Sequence, residues 1–359
     1  MIFSLGSKKY TIVDIGASAV KVIVMKNNNK NVELLSADYS SLPPGIIKDD
    51  EIYDKSIVVN RMEEIFEKIS HTPKNIITCI PSNHLITRNI ELPALEDEEL
   101  NEAIKWELDD VLPYSANKTT FDYIVTDRND DSINVLSVAV KDKMIEQFKE
   151  PFLDLGLNPE VINVQPMALI SLLNFQNKLT SPSSIIDIGH QGTRVILADN
   201  NNLHLTRTID RGGEDFTNNI MEKHQYEYKK AEEYKCKNGI ENELDNSNPL
   251  DSVEDDLSLL GIGNDQLNIA KEISQEISRS LEFYSIKNRG ESIKNVYLTG
   301  GSAYLKGLID VISEEIGQTP ILLDPLEGFE NKSTIPENKS HIYTIALGLG
   351  ASEVLHHEG

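Results

Sequence analysis

Apolar and polar positions predict paired β-strands at two places, one near the start of the chain and one near its middle. Apolar, β-branched runs at 10–15 and 20–25 flank Gly16, and a second such pair flanks Gly189 within residues 184–199. Runs of this kind around a short Gly-containing segment are typical of β-hairpins. The sequence therefore predicts one hairpin that is built twice.

The rest of the pattern predicts a mixed α/β protein. Further strands are predicted at 32–39, 76–80, 85–92, 121–126, 133–140, 159–164 and 296–299. Helices, recognised by apolar residues spaced three and four apart, are predicted at 55–70, 98–111, 143–155, 267–287 and 343–354. Gly348 and Gly350 in the final helix would permit close helix packing.

Three divisions of the chain are expected. They are a first lobe at 1–84 completed by 166–180 and 340–359, an inserted small unit at 85–165, and a second lobe at 181–339 with a helical part at 214–289. The alternative is that 85–165 simply belongs to one large domain. Residues 238–266 are acidic and rich in Asn, so we expect a flexible segment there.

Charge and composition exclude several classes of function. The chain has 359 residues and a formal net charge of −24, which opposes binding to nucleic acid and to anionic lipid. Its two cysteines, Cys79 and Cys236, give no disulfide framework or metal-ligand spacing. No signal peptide or long apolar span is visible. We expect a cytoplasmic protein that reaches a membrane only through partners.

Each predicted hairpin carries the tripeptide Asp-Ile-Gly. Asp14 and Asp187 could orient a hydrated Mg²⁺, while the glycines let backbone N–H groups face an anion. One copy would be weak evidence, because Asp also caps ordinary turns. Two copies predict that facing hairpins hold the phosphates of a nucleotide and its Mg²⁺ from both sides.

The candidate phosphate-binding residues follow from these two turns. They are Gly16, Ala17 and Ser18 in the first turn, and Gly189, Gln191, Gly192 and Thr193 in the second. The hydroxyls of Ser18 and Thr193 could add hydrogen bonds. Lys21 could place a cation on the phosphates; its alternative role is a strand residue that faces solvent.

Two Gly pairs lie further along the chain. Gly212-Gly213 begins a predicted helix, and Gly300-Gly301-Ser302 ends a predicted strand. Together with the hairpins, they resemble the motifs of the actin-like ATPase superfamily, which includes actin, MreB and FtsA. This resemblance implies an α/β fold with duplicated, ribonuclease H-like mixed-sheet domains and an inserted small α+β subdomain of the FtsA and PilM type.

Four further segments resemble the PilM family of type IV pilus proteins: Leu42–Asp49, Arg88–Pro93, Thr208–Thr217 and Ala231–Lys235. The resemblance covers nearly the entire chain. It implies binding of ATP with Mg²⁺, and docking of the N-terminal cytoplasmic peptide of a PilN-like membrane protein between 1–84 and 85–165. A homo-oligomer is also possible.

The resemblance assigns further roles around the nucleotide. Gly212 and Gly213 would offer free N–H groups to an anion, and Gly300 and Gly301 would let adenine lie flat on the backbone. Two more residues could meet the ribose and adenine, or form an exposed ion pair instead: Glu232 and Lys235.

Two positions concern catalysis and partner binding. Gln165 stands where many relatives carry Glu, and an amide cannot accept a proton from water. This difference indicates slow ATP turnover at most, or ATP as a structural ligand; the alternative is a polar residue that only begins a helix. Trp106, the single tryptophan, is expected to pack within the fold, with the partner groove as the alternative.

Two other functions stay open at this point. One is a sugar or acetate kinase of the same superfamily, which would need a carboxylate base beside an acceptor pocket. The other is an FtsA-like or MreB-like filament-forming ATPase. The predicted small unit at 85–165 argues against an MreB-like protein.

Overall fold

The structure is a computed structural model, and it describes residues 8–27, 32–69, 71–112, 116–199, 202–240 and 265–356. Within these ranges the strands, numbered in chain order, are β1 Lys8–Ile15, β2 Ala19–Asn27, β3 Val32–Ser41, β4 Ile47–Lys48, β5 Glu51–Ile52, β6 Ile76–Ile80, β7 Ile86–Pro93, β8 Thr119–Arg128, β9 Ser132–Lys141, β10 Val161–Val164, β11 Ser183–Ile188, β12 Thr193–Asp199, β13 Asn202–Ile209, β14 Asn295–Thr299, β15 Ile321–Leu322 and β16 Glu330–Asn331. The α-helices are α1 Lys55–Lys68, α2 Asp97–Val111, α3 Asp142–Asp154, α4 Gln165–Phe175, α5 Gly213–His224, α6 Tyr228–Asn238, α7 Asp265–Lys287, α8 Leu308–Ile316 and α9 Thr344–His356.

The chain divides into two compact units. The first contains the described residues up to Ser181, together with Ala198–Thr206 and the residues from Asp324 onward. The second contains Pro182–Leu197 and Arg207–Leu323. Most of the segment expected to be acidic and flexible, 241–264 of 238–266, lies outside the described residues.

The first unit is built on a six-stranded sheet with the order β10-β6-β1-β2-β3-β16. Strand β1 is antiparallel to β2 and parallel to β6, and β6 is parallel to β10. The middle strands are mostly buried, as expected of strands covered on both faces. This arrangement brings the carboxyl ends of β1, β6 and β10 to one edge of the sheet.

Helix packing on this sheet depends on small residues in α9. A Cβ on Gly348 would lie 2.2 Å from the carbonyl oxygen of Ala168 in α4, and a Cβ on Gly350 would lie 2.2 Å from Sδ of Met25 in β2. Helix α9 packs against α4 and against β1 and β2. The expectation that these glycines permit close packing is confirmed.

A three-stranded antiparallel sheet, β7-β9-β8, forms the small unit together with α2. Its core is separate from that of the large sheet and consists of apolar residues from the sheet and the helix: Ile90, Leu92, Leu100, Ile104, Leu108, Leu112, Ile133, Val135 and Ala139. Helix α2 starts with a capping interaction, in which the Glu96 N–H donates to Oε2 of Glu99 at 3.3 Å.

The small unit ends earlier in the chain than the sequence predicted. Helix α3 buries Met144, Phe148 and Phe152 in the core of the large sheet, and each such side chain contributes about 1.5–3 kcal/mol. Strand β10 pairs with β6 in the same sheet. The segment 142–165 therefore belongs to the first lobe rather than to the insertion.

Two other expectations need correction. Residues 330–331 form β16, which pairs with β3, so the end of the predicted second lobe belongs to the first unit. Trp106 is 75% exposed, so the expected packing within the fold is wrong. No helix among the described residues combines the length and the apolar character needed to cross a lipid bilayer.

The second unit repeats the centre of the first. The five-stranded sheet, most of whose residues belong to this unit, has the order β13-β12-β11-β14-β15, and β11 is parallel to β14. Strands β11 and β12 form the second predicted hairpin, and β14 takes the place beside it that β6 takes beside β1. The duplication read from the sequence is therefore present in the strand order of both sheets.

Candidate functional site

The first hairpin places a carboxylate and a cation opposite each other. Asp14 lies near the end of β1, and its register partner in β2 is Lys21. The Lys21 Nζ donates to Oδ2 of Asp14 at 2.9 Å. Both side chains are mostly buried, so this pair is held in place by the sheet rather than moving freely in solvent.

One oxygen of this carboxylate remains available for a ligand. Oδ1 of Asp14 is buried and makes no hydrogen bond within the structure, and a buried carboxylate oxygen normally has a partner. The turn beside it is tight, because Gly16 N–H donates to the carbonyl of Ala19 at 3.1 Å and a Cβ on Gly16 would lie 2.7 Å from the Lys21 Nζ.

The second hairpin has the same arrangement with a different cation. Asp187 lies near the end of β11, and Nη1 of Arg194 in β12 donates to its Oδ2 at 3.3 Å. In both hairpins the cation follows the aspartate by seven residues. Gly189 N–H closes its turn on the carbonyl of Gly192 at 2.9 Å, as Gly16 does in the first.

Sequence reasoning missed Arg194, although the spacing could have identified it. Lys21 was selected as a cation of the first hairpin, but the corresponding position of the second hairpin was not examined. A comparison of the two repeats position by position would have paired Arg194 with Lys21.

The expected role of the Gly212-Gly213 pair needs correction. The N–H of Gly212 donates to Oδ2 of Asp215 at 2.8 Å, Gly213 N–H to the carbonyl of Gly189 at 3.0 Å, and Glu214 N–H to the carbonyl of His190 at 2.7 Å. These groups are therefore not free for an anion in this structure.

Gly212 allows the start of helix α5 to approach the second hairpin turn closely. A Cβ on Gly212 would lie 2.6 Å from the His190 carbonyl and 2.7 Å from the Gly192 nitrogen. Contacts under 3.0 Å to backbone atoms cannot be relieved by moving a side chain. Helix α5 therefore starts directly against the second hairpin turn.

Thr193 also differs from the expectation. Its side chain is fully buried, and its hydroxyl donates to the carbonyl of Arg211 at 2.9 Å. The hydroxyl is therefore not available to a phosphate, and it instead ties the hairpin to the segment that precedes α5. In the first turn, Ser18 is exposed, so its predicted contact with phosphate stays open.

The turn after β14 is held against the same hairpin. Gly300 has φ +95°, and a Cβ there would lie 2.4 Å from Oδ1 of Asp187. Ser302 donates from its hydroxyl to the Gly189 carbonyl at 3.1 Å and from its N–H to the Ile188 carbonyl at 3.0 Å. By contrast, a Cβ on Gly301 would meet no atom within 4 Å.

Helices α5 and α6 are joined by a buried lysine. Lys235 is only 5% exposed, and its Nζ donates to Glu232 Oε1 at 2.6 Å, Thr217 Oγ1 at 2.7 Å and the Gly213 carbonyl at 2.9 Å. The alternative of an exposed ion pair is therefore wrong for Lys235. Its ammonium fixes the start of α5, the helix that contacts the hairpin.

His190, which the sequence analysis did not select, lies in the second turn. Burial lowers the pKa of its imidazole below the ordinary value of 6.5, and the nearby charge of Lys235 acts in the same direction against that of Glu214. Its Nε2 lies 3.3 Å from the hydroxyl of Tyr228, whose pKa burial raises. The ring is therefore neutral at neutral pH.

Gln165 lies in the first unit, at the start of α4 and directly after β10. Its side chain is buried, and Ser82 Oγ donates to its Oε1 at 3.5 Å. Because β1 and β10 both run parallel to β6, Asp14 near the end of β1 and Gln165 directly after β10 lie at the same edge of the sheet. Ligands of open α/β sheets bind outside such carboxyl ends.

The structure therefore groups the candidates by unit. Within the first it brings Asp14, Gly16 and Lys21 together on one hairpin, at the sheet edge where Gln165 follows β10. Within the second it connects most of the remaining candidates through hydrogen bonds and close approaches: Asp187, Gly189, Gly192, Gly212, Gly213, Glu232, Lys235, Gly300 and Ser302.

Solved structures identify this architecture as the fold of the actin-like ATPases. A chain of a PilM–PilN type IV pilus biogenesis complex has a TM-score of 0.79 at 22% identity, over 96% of this chain and 98% of that chain. The ethanolamine utilization protein EutJ of Carboxydothermus hydrogenoformans has a TM-score of 0.57 at 11% identity, over 98% and 92% of the two chains. MreB5 of Spiroplasma citri bound to AMPPNP has a TM-score of 0.51 at 15% identity, over 98% and 97%.

The fold class expected from the sequence is thereby confirmed. A profile of the family described as type IV pilus assembly protein PilM matches residues 12–249 and 268–353. The chain belongs to the PilM family.

Proposed function

We propose that this protein is an ATP-binding adaptor of the type IV pilus assembly platform that docks the N-terminal cytoplasmic peptide of a PilN-like membrane protein. Membership of the PilM family and the full-length likeness to a chain of a PilM–PilN complex support the partner. The protein would lie at the inner face of the cytoplasmic membrane through that partner.

The main support for nucleotide binding is that Asp187, Gly300 and Ser302 converge on one hairpin turn. A glycine is required where Gly300 approaches the carboxylate, and glycines are used where backbone must come close to a ligand or to another backbone. The MreB5 structure of this fold contains AMPPNP. The equivalent carboxylate, cation and glycine of the first hairpin support the proposal that both hairpins contribute to phosphate binding.

Mg²⁺ fits these residues as a mainly water-bound ion. Each hairpin offers a single carboxylate, and the described residues contain no group of three His, Cys, Asp or Glu that could hold a metal. Mg²⁺ keeps several waters and is commonly bound through one or two carboxylates and substrate phosphates. Asp14, with its unbonded buried Oδ1, and Asp187 would orient those waters. When bound, the ion would neutralise phosphate charge.

Gln165 supports slow hydrolysis at most. Its amide oxygen lies 3.5 Å from the Ser82 hydroxyl, and an amide can orient a water but cannot remove its proton. We therefore propose that ATP acts chiefly by holding the protein in a binding-competent form. Neither the kinase nor the filament alternative is favoured by the family match.

The partner proposal is tested by a pull-down with a synthetic peptide that corresponds to the cytoplasmic N-terminus of a candidate PilN, with and without ATP. Saturable capture is expected, while a peptide of the same composition in scrambled order should not be retained. Failure to bind in either nucleotide state would contradict the adaptor function.

A further inference from the structure

Arg194 is the one member of the two repeated hairpin arrangements to which no function has been given above. Its guanidinium is largely buried, at 13% exposure, and Asp187 is 7% exposed. Burying an arginine beside a carboxylate is costly unless the pair is well made. Its Nη1 lies 3.3 Å from the position that a Cβ on Gly189 would take, so it also covers the first glycine of the turn.

The two hairpins differ in the length of the contact between the cation and the carboxylate. Charge-assisted N–H···O bonds are typically about 2.7–2.9 Å long. The pair of Lys21 and Asp14 reaches that distance at 2.9 Å, whereas Arg194 and Asp187 are separated by 3.3 Å. The contact in the second pair is therefore the longer one, which favours its exchange for a competing cation.

We propose that Arg194 is a built-in counter-ion of Asp187, which a divalent cation displaces, and that the released guanidinium then binds the phosphates of the nucleotide. This inference rests on the proposed ATP binding and deepens it. Arginine suits both roles, because its planar fork binds carboxylates and phosphates alike.

A direct test is a titration with Mn²⁺, followed by electron paramagnetic resonance, on the full chain without nucleotide. The Arg194→Gln variant should bind Mn²⁺ about three- to tenfold more tightly than the unmodified protein, because the competing cation is gone. Arg194→Lys, which keeps the charge, should remain close to the unmodified protein.

The matched control is Arg207→Gln, which removes an equal charge from β13, where Arg207 contacts Glu276 and Ser280. Its Mn²⁺ affinity should not change. An equal gain in both glutamine variants, or none in Arg194→Gln, would overturn the proposal. If Arg194→Gln does not fold, tighter Mn²⁺ binding by Arg194→Lys than by the unmodified protein would overturn it as well.

The second readout is ATP affinity by calorimetry, with Mg²⁺ and with EDTA. Arg194→Gln should weaken ATP binding in Mg²⁺ by about tenfold, since the phosphate contact of the released guanidinium is lost, and by clearly less in EDTA, where the guanidinium of the unmodified protein stays on Asp187. Equal losses in both conditions would contradict the exchange and indicate a structural role. An unmodified protein that binds no ATP would refute the proposed function instead, whatever the Mn²⁺ titration shows.

Discussion

Single glycines decide how closely the parts of the candidate site approach each other. Replacing Gly300 with alanine would force a non-glycine residue to φ +95° and put a methyl group 2.4 Å from Oδ1 of Asp187. We expect Gly300→Ala to lower the free energy of unfolding by about 1–3 kcal/mol or more, because backbone strain of this kind costs that much. Urea denaturation measures the change.

The neighbouring glycine, Gly301, allows ATP binding to be tested without a change in stability. A Cβ on Gly301 would meet nothing within 4 Å, so Gly301→Ala should leave the unfolding midpoint unchanged. If adenine lies on this backbone, the same variant should nevertheless weaken ATP binding. A large loss of stability in Gly301→Ala, or none in Gly300→Ala, would contradict the described packing.

His190 should make stability depend on pH. Its pKa is lowered in the folded state, chiefly by burial, so the unfolded chain binds the proton more readily as the pH falls through 6.5. More protons on the unfolded state mean that stability rises with pH. The free energy of unfolding should therefore fall from about pH 7.5 to about pH 5.5, and less steeply in His190→Gln. Identical pH profiles of the unmodified protein and the His190→Gln variant would count against a buried neutral imidazole.

Residue types and spacing predicted the two aspartates and the glycines, but they could not show which polar groups the protein itself occupies. The hydroxyl of Thr193 and the N–H groups at the start of α5 looked available in sequence, yet each has a partner in the fold. Hydrogen bonds between distant segments decide this, and no local pattern encodes them.

At the scale of elements, the junction of α5 and α6 depends on one buried ammonium. Lys235→Met keeps much of the side-chain volume but removes three hydrogen bonds and leaves Glu232 without its counter-ion. We expect a loss of about 1–3 kcal/mol in the free energy of unfolding. Chemical denaturation of Lys237→Met, at an exposed position of the same helix, serves as the control and should show less than about 0.5 kcal/mol.

Comparable losses in the two lysine variants would show that Lys235 does not hold the helices together. A loss in Lys235→Met accompanied by weaker ATP binding would additionally support its predicted place beside the nucleotide.

Most elements could be predicted from periodicity, and their assignment to a lobe could not. Helix 143–155 and strand 159–164 were predicted within about a residue or two of α3 and β10. The sequence prediction assigned both elements to the insertion because they directly follow its other elements along the chain. Phe148 and Phe152 belong instead to the core of the large sheet, and only tertiary packing reveals this.

For the whole molecule, the strand order of the two sheets gives the account its strongest structural support. Two hairpins, each with an aspartate, a glycine and a cation seven residues after the aspartate, occupy equivalent positions in the two sheets. Duplication of a complete arrangement is hard to explain by turn capping alone, which would require only the aspartate.

Oligomeric state is the remaining prediction at this scale. An adaptor should sediment as a small, defined species with and without ATP, while a filament-forming ATPase of the same fold should pellet when ATP is added. Analytical ultracentrifugation distinguishes the two outcomes, and ATP-dependent pelleting would favour the filament alternative.

The central claim is that the duplicated hairpins bind ATP, and titration calorimetry with Mg·ATP on Asp187→Ala tests it most directly. The matched control is Asp199→Ala. Asp199 is the last residue of β12, at the opposite end of that strand from the hairpin turn, and it forms an ion pair with His204. We predict that Asp187→Ala weakens binding at least about tenfold while the control does not. Unchanged affinity in Asp187→Ala would contradict the account.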